Sequence, residues 1–193
     1  VVSPIATVLT GFFPKEPIQS DLLRNNIQIG RAGITQDANV LNVLYSQPFM
    51  ARYGDTSKLT NPQFVTFLYN TLLHRSPTTS EVNQWVSQMT RATNPLNRGQ
   101  VVLGFTGSVE FTRANPTAGN SVAVSLGYLG LLGRNADPAG YQSWVNYLGA
   151  GNSVASMGNR MLASPEYARL KGFNDLFLAD IQSYQLPSAV NPL

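Results

Sequence analysis

The sequence predicts an all-α fold of tandem helical repeats forming a compact multi-helix bundle, preceded by an extended N-terminal arm. Three observations carry this. First, one segment occurs twice: Tyr69, Leu72, Leu73, Arg75, Trp85 and Val86 recur 59 residues later as Tyr128, Leu131, Leu132, Arg134, Trp144 and Val145. Second, the apolar residues of both copies fall at the i, i+3, i+4, i+7 spacing of one helix face, as in Val65, Leu68, Tyr69, Leu72 and Val124, Gly127, Tyr128, Leu131. Third, no stretch alternates apolar and polar residues for long enough to form a half-buried strand.

Residues 1–17 hold Pro4, Pro14 and Pro17 around Val8, Leu9, Phe12 and Phe13 without a sustained helical period, which reads as the extended arm. Apolar residues on such an arm must be covered, by this chain or by a neighbour, so Val8, Phe12 and Phe13 are candidate partner contacts. In residues 18–61, Ile18, Leu22, Leu23 and Ile27 have helical spacing, Gly30 and Gly33 interrupt, and Thr35 opens a further helix. Counting +5, +8, +11 and +14 from Thr35 gives Val40, Val43, Ser46 and Phe49. The same count from Asn97 gives Val102, Phe105, Ser108 and Phe111, and from Ser153 gives Gly158, Met161, Ser164 and Tyr167. The N-terminal region is therefore a partial repeat that lacks a first helix.

Two full repeats follow, at 62–115 and 118–170, each of three helices and a short fourth. The first helix spans about 62–75 or 121–134. The second opens at Thr78, whose Thr-x-x-Glu81 pattern is a capping box, or at Asp137, an N-cap followed by Pro138 at the first helical position. Asn97 and Ser153 cap the third, and Ser108 with Glu110 or Ser164 with Glu166 opens the fourth. A C-terminal helix at 171–186 and a proline-flanked tail at 187–193 complete the chain.

Composition narrows the role. Asp, Glu, Lys and Arg make up 12% of the chain against about 25% in an average domain, while amides and hydroxyls abound, a balance that leans towards an exported or surface-bound protein. The net charge of +3 comes from basic residues scattered singly, without the clustering that nucleic-acid binding requires. No cysteine is present, so disulfides and thiolate metal sites are excluded. The apolar run from Val1 to Phe13 is too short to span a bilayer. A Val at position 1 is consistent with a removed signal peptide or an upstream domain.

Leu131-Leu-Gly-Arg134, Asp137-Pro-Ala-Gly140, Trp144 and Ala163-Ser-Pro-Glu-Tyr167 resemble, in order and spacing, the bacterial family catalogued as domain of unknown function 4214. Two tandem copies are covered, the first more divergent, with His74 where the second has Gly133. The pattern is also distantly similar to the linker domain of phycobilisomes. The resemblance implies a helical, non-enzymatic module, of an exported or cell-surface assembly or of a scaffold, with no catalytic residue and no cofactor.

The residues themselves offer little chemistry. His74 is the one histidine, and replacement by Gly133 in the sister copy suits a helix C-terminus better than a metal or catalytic site. Arg75 with Glu110 and Arg134 with Glu166 suggest an ion pair tying the first helix to the fourth; Arg bonding to its own helix's last carbonyls is the competing reading. Trp85 and Trp144 read as core anchors, with a sugar-stacking platform as the alternative. Asn135 and Asp137 supply too few alternating oxygens for a calcium loop. Gly104-Phe-Thr-Gly107-Ser108 matches a nucleophile elbow only loosely, because no strand precedes it. The expected partners are protein subunits, or a second copy, or a polysaccharide met by exposed Tyr141, Tyr147 and Tyr184, with neither nucleic acid nor a membrane span.

Overall fold

A computed structural model of the chain describes residues 4–14 and 33–183, with side chains as far as residue 174. In order, the helices are α1 (Pro4–Phe12), α2 (Gln36–Leu44), α3 (Gln47–Tyr53), α4 (Asn61–Leu72), α5 (Thr79–Thr90), α6 (Arg98–Thr106), α7 (Val109–Ala114), α8 (Ala118–Leu131), α9 (Pro138–Gly149), α10 (Val154–Leu162) and α11 (Pro165–Ser183), with a 3-10 turn at Thr56–Lys58. No strand occurs among the described residues. The first repeat is α4 to α7, the second is α8 to α11, and α2 with α3 is the partial repeat, matching α6 with α7.

The helix starts follow local chemistry. Thr78 and Asn97 each form a complete capping box, with Glu81 and Gln100 respectively. Asp137 accepts from Gly140 N at 2.8 Å and Ser153 from Ser156 N at 3.1 Å. Ser108 and Ser164 accept from Phe111 N and Tyr167 N at 3.0 and 3.1 Å. Each bond occupies one of the backbone N–H groups that the first helical turn leaves without a partner. Thr35 stands at the N-cap of α2 without capping it; its hydroxyl bonds Asp37 instead.

Residues 4–12 are a helix, not the extended arm that their prolines suggested. Pro4 opens it, where the missing N–H is one the helix would not use anyway. Ile5, Ala6, Val8, Leu9, Thr10, Gly11 and Phe12 are all buried, and only Pro4 and Thr7 of α1 are partly exposed. It packs against α2, α4, α6 and α8 and forms the centre of the larger core. Val8, Phe12 and Phe13 are consequently core residues rather than partner contacts: Val8 and Phe12 are fully buried and Phe13 is 9% exposed. Phe12 meets Phe49 edge-on at 4.9 Å and stacks on Phe67 at 6.3 Å, and its carbonyl accepts from the Tyr53 hydroxyl at 2.5 Å.

Two apolar cores result. The larger gathers α1, the partial repeat and the first repeat, and reaches Val122 of α8. The smaller belongs to the second repeat, around Val124, Tyr128, Tyr141, Val145, Met157 and Met161. Two expected boundaries move. The first helices end at Leu72 and Leu131, short of the anticipated 75 and 134, and α11 runs through residue 171 without the break expected between the second repeat and a C-terminal helix. The helix expected around 18–29 and the tail at 187–193 lie outside the described residues.

Candidate functional site

The repeated signature residues converge on one cluster in each repeat. His74 and Gly133 follow the first helix with φ of 55° and 66°, the left-handed turn that ends a helix, which explains how His and Gly share one position. The turn throws Arg75 or Arg134 back over its own helix. The guanidinium lies 4.7 Å from the Tyr69 ring in one copy and 4.9 Å from the Tyr128 ring in the other. Arg75 Nε donates to Glu110 Oε1 at 2.5 Å, and Arg134 donates to both oxygens of Glu166 at 2.5 and 2.9 Å. The first helix is thus tied to the fourth in both repeats. The competing reading fails, because the carbonyls that the arginines reach, Ser76 O and Asn135 O, lie beyond the helix end.

Sequence reasoning missed a third member of this cluster. Each arginine also meets a carboxylate from the start of the second helix, Glu81 at 2.6 Å in one repeat and Asp137 at 3.6 Å in the other. The two come from different positions, third residue against cap, so alignment of the copies hides the equivalence. The signal available was the Thr78 to Glu81 capping box, which places the Glu81 carboxylate beside the helix end that carries Arg75. Arg75 and the Thr78 cap hold the Glu81 carboxyl at about 2, and Arg134 lowers that of Glu166.

Tyr69 and Tyr128 are buried, with the Trp85 and Trp144 side chains beside their hydroxyls. Burial raises both tyrosine pKa values. The indoles are partly buried and pack against the two cores. Trp85 stacks on Phe105 at 5.0 Å, over Gly104, where an added Cβ would come within 2.8 Å of the indole. Trp144 packs edge-on against Tyr147 at 5.3 Å. Leu72, Leu73, Phe111 and Leu132 are buried, whereas Leu131 and Tyr167 are only partly covered.

The chemically suggestive residues are occupied by structural tasks. His74 Nε2 lies 3.2 Å from Asn115 Oδ1, and the Asn115 amide donates to Leu72 O. Ser108 Oγ donates to Phe105 O and caps α7. Asp55 bonds Ser57 in its own turn. Among the described residues, no three His, Asp or Glu side chains gather where they would hold a metal ion. The tyrosine line is corrected too: Tyr141 is 2% exposed, Tyr147 is partly buried and bonded to Ser156 at 2.7 Å, and Tyr184 lies outside the described residues.

The open surface lies elsewhere. A groove of about 450 Å³ runs between α8 and α10, lined by Leu126, Leu131, Val154, Met157 and the small residues Ala123, Gly127 and Gly158. No described helix is long and apolar enough to cross a membrane.

These features define an all-α repeat protein whose duplicated residues serve its own packing. The family model for Domain of unknown function (DUF4214) matches residues 40–115 and 117–171, and the chain belongs to that family, in two tandem copies. The first match begins within α2, so the family unit reaches back into the partial repeat. No curated protein and no solved structure matches the chain.

Proposed function

We propose that the chain is a non-enzymatic structural or protein-interaction module of a bacterial exported or cell-surface assembly. The observation that carries this reading is where the two copies agree. Tyr, Trp, Arg and Glu are the residue types from which a repeated catalytic or binding site would be built, and in both repeats the Arg pairs with the Glu over the Tyr ring, with the Trp packed on the core beside it. What remains for function is surface, and the large apolar side chains left exposed include Val154 and Leu162 of α10 and Val109 of α7. The low charge and abundance of amides support the exported setting.

The second reading, a carbohydrate-binding module, draws on the half-buried Trp85 and Trp144, each of which leaves part of an indole at the surface. A linker-like intracellular scaffold is the remaining alternative. The test is partner identification by cross-linking in the producing cells, reconstitution of the complex from purified proteins, and a glycan array run in parallel. A reconstituted protein complex with a blank array is the expected result. Array binding that is lost in Trp144→Ala, with no protein complex, would replace the proposal by the carbohydrate reading.

A further inference from the structure

Three helices of this chain share one register. Counted from their caps Thr35, Asn97 and Ser153, helices α2, α6 and α10 place Asn39, Val101 and Met157 at the fourth position, and Val43, Phe105 and Met161 at the eighth. All six are buried. A second stripe, at positions one, two, five and nine, lies on the adjoining face. In α6 it is Arg98, Gly99, Val102 and Thr106, and the last three are buried. In α10 it is Val154, Ala155, Gly158 and Leu162, with Val154 53% and Leu162 42% exposed.

What covers this stripe in α6 is visible within the chain. Helix α6 packs closely on α2, and the two cross at the same register position of each. Gly99 sits so tightly against Asp37 that any Cβ would overlap the Asp37 backbone carbonyl. Asn97 Nδ2 donates to Asp37 Oδ2 at 2.5 Å across the crossing. In this pair a helix of the repeat type takes as its mate another helix of the same type. Helix α10 has kept apolar or small residues at every mating position, yet among the described residues α8, α9 and α11 are the helices it packs on, and none of these is of that type.

We propose that α10 pairs with α10 of a second copy of the chain, crossing at Ala155 about a two-fold axis as α2 and α6 cross at Asp37 and Gly99. This rests on the interaction-module reading and names one partner for it. An isologous contact needs a surface compatible with itself. The stripe meets that condition: α10 bears no carboxylate, and its one cation, Arg160, lies on the opposite side of the helix over the Tyr147 ring at 5.0 Å. The seam is continuous with the groove between α8 and α10. In the first repeat the counterparts of groove residues Leu126 and Leu131 are Phe67 and Leu72, and there α1 lies against both, through Phe12 and Gly11.

The chain has no cysteine, so a single introduced thiol reports directly. In Ala155→Cys the two thiols meet at the axis, within the Cα separation of under about 7 Å that a disulfide requires. Under mild oxidation the full-length variant is expected to form a covalent dimer, whereas Ser143→Cys, exposed on α9, stays monomeric. By sedimentation the unmodified chain is a dimer and Leu162→Glu a monomer with an unchanged helical circular dichroism spectrum. Failure of Ala155→Cys to link faster than Ser143→Cys, or a monomeric unmodified chain, overturns the proposal. A thiol at position 155 that resists alkylation in a monomer would overturn it in favour of residues 15–32 of the same chain as the cover. These failures leave the wider reading standing where a reconstituted complex with another protein forms, and the two outcomes are therefore separable.

Discussion

The two repeats use one frame and fill it differently. Both carry the cap, the left-handed turn, the tyrosine under an arginine and the glutamate that closes the ring. Inside, the positions of Leu68, Val101 and Phe105 in the first repeat are taken by Gly127, Met157 and Met161 in the second. A Cβ on Gly127 would already touch the Met161 sulfur at 3.0 Å, so the methionines occupy the room that the missing leucine leaves. Outside, the first repeat is roofed by α1 and α2, and the second is open between α8 and α10. The comparison teaches that duplication preserved a way to fold and left the covering of each copy free to change.

The roof gives the largest expected effect. Phe12→Ala removes a fully buried ring from the centre of the larger core and should cost about 3–5 kcal/mol. Because the smaller core does not include Phe12, hydrogen exchange should quicken first in α2, α4 and α6 and later in α9 and α10. Simultaneous loss of protection throughout would show that the two cores melt as one.

Matched core positions come next. Leu68→Ala should lower stability by about 2–5 kcal/mol in chemical denaturation. Gly127→Ala meets only the movable ends of Met157 and Met161 and replaces a mid-helix glycine, so it should fall between neutral and about 1 kcal/mol stabilising. A large loss at Gly127 would mean that the methionines are as tightly set as Leu68 and its neighbours.

Acid should act through the clamp carboxylates. Glu81 titrates at about 2 in the folded chain against an ordinary value of 4.5, and Glu166 is also lowered. A depressed folded pKa contributes stability that is complete above the unfolded value and disappears as pH falls through the folded one. The melting temperature should therefore hold above 4.5 and decline towards 2, with a shallower decline in Glu81→Gln. An identical acid limb in the variant would remove Glu81 from the clamp.

Much of this architecture is legible in the sequence. The caps at Thr78, Asn97, Ser108, Asp137, Ser153 and Ser164 were readable because each is a local bargain between one side chain and backbone two or three residues on. The Arg to Glu pairs were readable because duplication displayed both partners twice. Helix α1 was not, since it spans only nine residues among Pro4, Pro14 and Pro17, too short a run to display a sustained period. Nor was the close crossing at Gly99, where a non-local neighbour, Asp37, decides what fits. The spacing of Trp85 and Trp144 reports that they face the cores and says nothing of how far a neighbouring helix extends over them.

The central claim is that the shared signature is a device for folding, and the most direct measurement is a double-mutant cycle on Arg134 and Glu166. The pair is bidentate but 40% and 33% exposed, so screening limits it to the ordinary range for surface pairs. With Arg134→Met, Glu166→Gln and their combination compared by chemical denaturation, the coupling should be favourable by about 0.5–1 kcal/mol. Additive effects, with Arg134→Met as stable as the parent, would contradict the account and return the repeated arginine to consideration as a binding residue.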